Sequence, residues 1–235
     1  MAADRSRGQH RVRRQFAQHQ LGYGALGVGA RDGFTEGGAL LSPVGDGLLG
    51  QSPLPMVIVR GGKSPARLHR FRRALVPVAG TPASRTAQEL AYNLARSTGT
   101  EVLLTHVLSR PAPDPYPHGH QEMARAHAQV ATGTEIASSV LEHARQLATE
   151  HDIDVRTTVR EGTATADELL AEAAEIEADV IILGTTIRRM HGRAFLGHTV
   201  EHILDQAQAT VVVVATPDSL HHAGIADRDA GADNE

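Results

Sequence analysis

Gly184 and Gly197 stand thirteen residues apart and bracket the stretch GTTIRRMHGRAFLG near the end of this 235-residue chain. The first closes an apolar run, ADVIILG, and the second opens an amphipathic segment, HTVEHILDQA. Glycines at a strand end and at a helix start are where α/β folds hold phosphates. The free N–H groups and the positive dipole end of a helix favour an anion. Arg188, Arg189 and Arg193 surround the second glycine with positive charge. The chemistry open to this stretch is therefore anion binding.

Other constellations compete poorly with it. His198 and His202 form an i, i+4 pair with Glu201 alongside, and two imidazoles on one helical face can share a zinc ion. The zincin order places its glutamate directly after the first histidine, which this sequence does not, and no third ligand is evident. A solvated helix is the expectation, and no metal site. Thr81, Ser84 and the scattered aspartates offer no nucleophile–base spacing and no G-x-S-x-G elbow, so Ser84 is read as a helix cap and catalysis is not expected. The chain has no cysteine, which excludes disulfides, thiol catalysis and cysteine metal sites. Among fourteen histidines, His118, His120, His221 and His222 fall in loops or tail. His106, at the end of a strand, is the one expected to be partly buried and to serve as any pH sensor.

The elements that must position the glycines follow from the pattern. RRALVPVA reads as a buried strand. ASRTAQELAYNLARSTG reads as a helix with Ala87, Leu90 and Leu94 on its apolar face and Gly99 at its end. EVLLTHVL is a second strand, and the proline-rich SRPAPDPYPHGH an exposed loop. A long helix spans residues 121–150, with Ile136, Val140 and Leu147 at helical spacing and a break or bend at Gly133. IDVRTTVREG alternates as a strand near an edge, TATADELLAEAAEIEA is a capped helix, and ADVIILG is a central strand ending at Gly184. A polar, glycine-dotted loop follows, then the helix at Gly197 and the strand ATVVVVA. Strands alternating with helices predict a parallel sheet covered on both faces.

Composition sets the outer limits. Aromatic residues make up 3% of the chain and net charge is -4, which gives little to stack bases or attract nucleic acid; no nucleic-acid partner is expected. The opening MAADRSRGQHRVRRQFAQHQ is polar and arginine-rich with no apolar run behind it, so neither a secretory signal nor a membrane span is expected and the cytoplasm is the default location. Residues 1–25 read as a basic disordered tail, 61–71 as a linker, 72–217 as one complete domain and 218–235 as a disordered tail.

Residues 26–60 repeat the end of that domain. At a constant offset of 155 and without a gap, Gly29 meets Gly184, Gly37 meets Gly192 and Leu41 meets Leu196. Leu49 then meets Leu204, Gln51 meets Gln206, Val57 meets Val212 and Val59 meets Val214. The chain reads as the last third of one domain followed by a whole second copy. The partial copy either packs against the complete domain or a partner, or belongs to a protein longer at its N-terminus.

On ALVPVAGTPASRTAQELAYNLA, LLTHVL and the glycine stretch, the complete domain resembles the universal stress protein family. The nucleotide-binding members of that family carry Gly, two residues, Gly, nine residues, Gly and then Ser or Thr. Gly184 and Gly197 match the first and third glycines, Ile187 stands at the second, and His198 follows the third with Thr199 beside it. Ala79 stands where an acidic residue typically follows VPV. The resemblance implies a three-layer α/β/α sandwich with a five-stranded parallel sheet of the adenine nucleotide alpha hydrolase type, preceded by the partial repeat. It implies a nucleotide site at Val76, Pro77, Val78, Val107, Gly184, Thr185, Gly192, Gly197, His198 and Thr199. No cofactor is implied as required, and ATP is the ligand if one is held. It further implies a homodimer through the last strand, residues 210–215.

Each departure has a physical meaning. A branched Ile obstructs the close backbone approach that glycine permits, and Ala79 offers no acceptor to a ribose or base. The leading expectation is a non-catalytic regulatory or stress-response domain with weak or lost nucleotide binding. The alternatives are an ATP-binding stress protein and, because the loop and Ala79 look closer to stress-protein-like tails of bacterial cation/proton antiporters and amino-acid transporters, a cytoplasmic module with a membrane-transporter partner.

Overall fold

Apolar runs rich in Val, Ile and Leu form the centre of the sheet because both of its faces are covered. The computed structural model describes residues 26–29, 45, 47–49, 54–62, 71–110, 120–190 and 193–217. Its strands are β1 (Leu26–Gly29), β2 (Met56–Arg60), β3 (Arg73–Pro77), β4 (Glu101–Ser109), β5 (Val155–Gly162), β6 (Val180–Met190), β7 (Arg193–Phe195) and β8 (Thr210–Pro217). Its long helices are α1 (Pro82–Thr98), α2 (His120–Glu150), α3 (Thr165–Glu175) and α4 (His198–Gln206). The sheet order is β1-β2-β8-β6-β3-β4-β5, with β7 hydrogen-bonded to β6. From β8 to β5 all five neighbouring strands are parallel, as the alternation of elements predicted, and β5 lies at the edge.

Two apolar layers sandwich the sheet. Ala87, Ala91, Tyr92 and Ala95 of α1 and Leu141, Ala144 and Leu147 of α2 pack on one face with Val76, Leu104, Ile182 and Val212. Leu169 and Ala173 of α3 and Val200, Ile203 and Leu204 of α4 pack on the other with Leu75, Leu103, Ile181 and Val213. Tyr92 is fully buried and donates its hydroxyl to the Ala144 carbonyl at 2.9 Å, tying α1 to α2; burial raises its pKa. Arg160 of β5 holds Glu168 at 3.1 Å, Glu172 at 2.6 Å and Glu175 at 2.9 Å, which fixes α3 against the sheet edge.

Several expectations need correction. Ser84 is not the cap of α1: Thr81 is, its side chain accepting from the Ser84 N–H, with Pro82 opening the helix. Ala164, the N-cap of helix α3, makes no side-chain cap bond, and Asp167 and Glu168 in the first turn meet the helix dipole instead. Ile136 is 54% exposed rather than core, and α2 runs unbroken through Gly133. The polar loop after Gly184 is a strand: β6 continues through Thr185, Thr186 and Ile187 to Met190, paired with β8 as far as Pro217. It then meets β7 as an antiparallel hairpin, Arg188 opposite Phe195 and Met190 opposite Arg193. β-branched residues fill a pleated surface well, so this run extends the ladder where glycine would have released it.

The edge of β8 expected to receive a second subunit carries β2 of the same chain. β2 pairs with it antiparallel, from Met56 opposite Ala215 to Arg60 opposite Val211. With β6 on its other side, β8 has both edges hydrogen-bonded.

Candidate functional site

In an open parallel sheet the ligand crevice lies beyond the carboxyl ends of the strands, where the strand order reverses. Here that point falls between β3 and β6, neighbours in the sheet but remote in sequence. The turn from β3 into α1 forms one wall. The β6–β7 hairpin and the start of α4 form the other.

The first wall is closed by its own hydrogen bonds. Val76 and Val78 are 0% and 4% exposed and belong to the core under α1 and α2. The Val78 N–H donates to the Thr105 carbonyl at 2.8 Å. The Val78 carbonyl lies 2.6 Å from Nδ1 of His106, the half-buried histidine that the sequence singled out. The Ser84 hydroxyl donates to the Pro77 carbonyl at 3.3 Å and lies 3.1 Å from the Ala79 N–H, which donates to it. These backbone groups of the turn are thus already paired within the chain. Val107 is half-buried on the opposite face of β4, packed against the α3–α4 layer.

The second wall carries Gly184, Thr185, Gly197, His198 and Thr199. A Cβ on Gly184 would sit 1.9 Å from the Ala83 carbonyl oxygen, so this glycine is required by the close approach of α1. The Thr185 hydroxyl donates to the Leu196 carbonyl at 2.7 Å and holds the hairpin to the lead-in of α4. Gly197 adopts φ +96, which disfavours any side chain, and a Cβ there would meet nothing within 4 Å. His198 lies edge-on to Phe195 with ring centroids 5.0 Å apart, and Thr199 is exposed. Gly192 lies outside the described residues. His202 pairs with Asp167 across the two helices at 3.2 Å rather than with His198. Among the described residues no group of three His, Asp or Glu could hold a metal ion.

Two features bear on the approach of an anion to this wall: Ile187, which the sequence singled out, and the Glu201 contact, which it did not. Ile187 is 6% exposed and packs with Leu183, Leu196 and Val200, so the place of the second glycine is a core position. Glu201, in the first turn of α4, accepts from the Leu196 N–H at 3.3 Å, which sets a carboxylate at the end of the helix that would attract an anion. Glu201 stands one residue beyond the capping-box position and Gly197 has no side chain to bond back, so no local sequence signal announced this contact. A buried branched side chain and a carboxylate thus stand on this wall. One group points the other way: the Thr105 hydroxyl, on the same face of β4 as Val107, is buried with no hydrogen-bond partner.

The universal stress protein family model matches residues 70–215. This chain belongs to the universal stress protein family. A universal stress protein of Methanocaldococcus jannaschii is 26% identical over 161 residues, covering 68% of this chain and 88% of the relative. The solved structure of the universal stress protein UspA from Lactobacillus plantarum superposes with a TM-score of 0.52 at 19% identity, over 62% of this chain and 98% of that one. A universal stress protein from Archaeoglobus fulgidus gives 0.50 at 22% identity, over 82% of this chain and 62% of that one. These likenesses establish the mostly parallel α/β fold of the universal stress protein domain. No helix among the described residues is long and apolar enough to cross a membrane.

Proposed function

We propose that this universal stress protein domain is a non-catalytic regulatory or stress-response module whose nucleotide binding is weakened or lost. The observation that carries this reading is the continuation of β6 through Ile187 into a hairpin. It replaces a phosphate-cradling loop with a hydrogen-bonded ladder and buries a branched side chain where backbone must approach ligand. The self-paired β3–α1 turn and Ala79 support the same conclusion. The test is to purify the protein, denature it and look for released adenine absorbance. None is expected; ATP released from the parent chain and absent from Gly197→Asp overturns the reading.

That outcome would favour the second reading, an ATP-binding stress protein, for which the open approach to Gly197 and the unpartnered Thr105 hydroxyl speak. On the same footing we propose that residues 26–60 are a partial copy of the domain's end. The offset of 155 carries the β1–β2 register, Leu26 opposite Met56 through Gly29 opposite Val59, onto Ile181 opposite Val211 through Gly184 opposite Val214 in the β6–β8 pair. A regulatory role toward a cation/proton antiporter or amino-acid transporter is the partner reading. An antiporter gene directly upstream and in frame would support it, and co-purification without any transporter would count against it.

A further inference from the structure

We propose that the exposed face of the β6–β7 hairpin is a docking surface for an acidic peptide segment, and that its occupant is the end of this same chain, residues 218–235. The inference concerns peptide contact with the hairpin and holds whether or not a nucleotide binds.

The hairpin sorts its residues by face. Side chains alternate along a strand, and Arg188 stands opposite Phe195 while Met190 stands opposite Arg193. Arg188, Arg193 and Phe195 therefore share one face. Ile187, Ala194 and Leu196 take the other and pack into the core. Both arginines of the outer face are exposed. They are diagonal neighbours across the two strands, about 7–8 Å apart, so their like charges repel unless an anion lies between them. Six arginines elsewhere, Arg73, Arg85, Arg110, Arg145, Arg156 and Arg160, each have a glutamate within ion-pair distance. Among the described residues Arg188 and Arg193 have no such partner. Glu201 in the same wall turns instead to the Leu196 N–H at 3.3 Å. Beside the arginines Phe195 and His198 meet edge-on, 5.0 Å between centroids, and add an apolar floor.

The strand register and the charge of the chain's end name the occupant. β6 and β8 form a parallel ladder that pairs each residue with the one thirty positions on, from Val180 with Thr210 to Ile187 with Pro217. One further step of that register would set Asp218 beside Arg188, so the chain leaves β8 at the base of the arginine face. Residues 218–235 carry Asp218, Asp227, Asp229, Asp233 and Glu235 against Arg228 alone. A chain covers up to about 3.3 Å per residue, whereas β7 is only 3 residues long. Asp227 and Asp229 therefore have ample reach to both arginines. A segment joined this closely to its site acts at an effective concentration of about mM order, which an acidic peptide from outside has to exceed.

The test uses the full chain, which has no cysteine of its own. A nitroxide attached at Asn234→Cys is expected to broaden the amide resonances of Arg188, Arg193 and Phe195 at low salt, while Thr157 and Val159 on β5 stay sharp. The broadening should fall at least about threefold in 0.5 M sodium chloride, where charges are screened within about 4 Å, and likewise in the double variant Arg188→Glu, Arg193→Glu. Broadening absent from the parent chain, or unchanged by salt and by the double variant, overturns the proposal. If circular dichroism shows the double variant to be unfolded, Asp227→Asn, Asp229→Asn, Asp233→Asn and Glu235→Gln together leave the hairpin untouched and must lose the broadening instead. That neutralised chain also tests for an outside occupant. A glutamate decapeptide should shift its hairpin amides at a concentration about tenfold below that needed with the parent. Equal concentrations would leave the face open to another acidic protein and overturn the assignment to residues 218–235.

Discussion

The two walls of the crevice depart from the sequence pattern of the family's nucleotide-binding members in different ways. On the β3–α1 wall the backbone keeps a tight turn into a helix, and what differs is chemistry: Ala79 has no carboxylate, and Ser84 satisfies Pro77 and Ala79 from within the chain. On the β6–β7 wall the backbone itself differs, because Thr185, Thr186 and Ile187 extend the ladder with β8 beyond Gly184. A chemical loss can be restored by a side chain. A conformational one requires the ladder to be undone first, so on the proposed reading the second wall is the decisive one.

Gly184 joins the walls, and a large effect is expected there. Gly184→Val would drive side-chain atoms into the Ala83 carbonyl and the Ser84 N–H, both backbone, so neither neighbour can swing aside. Overpacking of this kind costs about 3 kcal/mol, and the thermal midpoint should fall by roughly 10 °C for a domain of this size. A fall of only a degree or two would mean that α1 shifts freely and that the walls are not coupled. Ile187→Gly comes next. Removing a buried aliphatic side chain costs about 2–4 kcal/mol, and the hairpin should fray, seen as faster amide exchange at Arg188 and Arg189 while β8 up to Val213 stays protected. Protection unchanged at those amides would show that the hairpin does not depend on Ile187.

How far the sequence revealed these walls depends on whether the signal was local. The strand–helix alternation, the buried runs ADVIILG and ATVVVVA, the edge position of β5 and the Gly99 helix end are all local patterns, and the structure has them. The hairpin was not legible, because arginines, a histidine and glycines read as loop, whereas the ladder partner that holds residues 185–187 lies thirty positions away in β8. Gly184 was legible as a required glycine but for the wrong reason. Its constraint comes from Ala83, a hundred residues earlier. Ser84 was misassigned by one turn, since Thr81 followed by Pro82 is the stronger cap signal.

That cap provides the third test. Thr81→Ala removes the acceptor for the Ser84 N–H and should cost about 1 kcal/mol, while leaving the Ser84 hydroxyl bonds to Pro77 and Ala79 in place. If the first wall is held mainly by Ser84, exchange at the Ala79 amide should change little in Thr81→Ala. Greatly accelerated exchange there would assign the turn to the cap instead.

The smallest change to stability is expected from Ala79→Asp, and it sharpens the comparison most. The residue is exposed, so no packing is disturbed. A carboxylate just ahead of α1 gains about 0.5 kcal/mol from the helix dipole. That gain exists while the group is ionised in the folded state and disappears as pH falls through the carboxylate range near about 4. Calorimetric titration with ATP then separates the walls. If chemistry were the limiting loss, Ala79→Asp alone would restore measurable binding. If conformation limits, the aspartate should add nothing until Ile187→Gly is present, and the two changes together should bind where neither does alone. Such non-additivity is expected of residues that meet one ligand from opposite sides, and binding by Ala79→Asp alone would reverse the order of importance of the two walls.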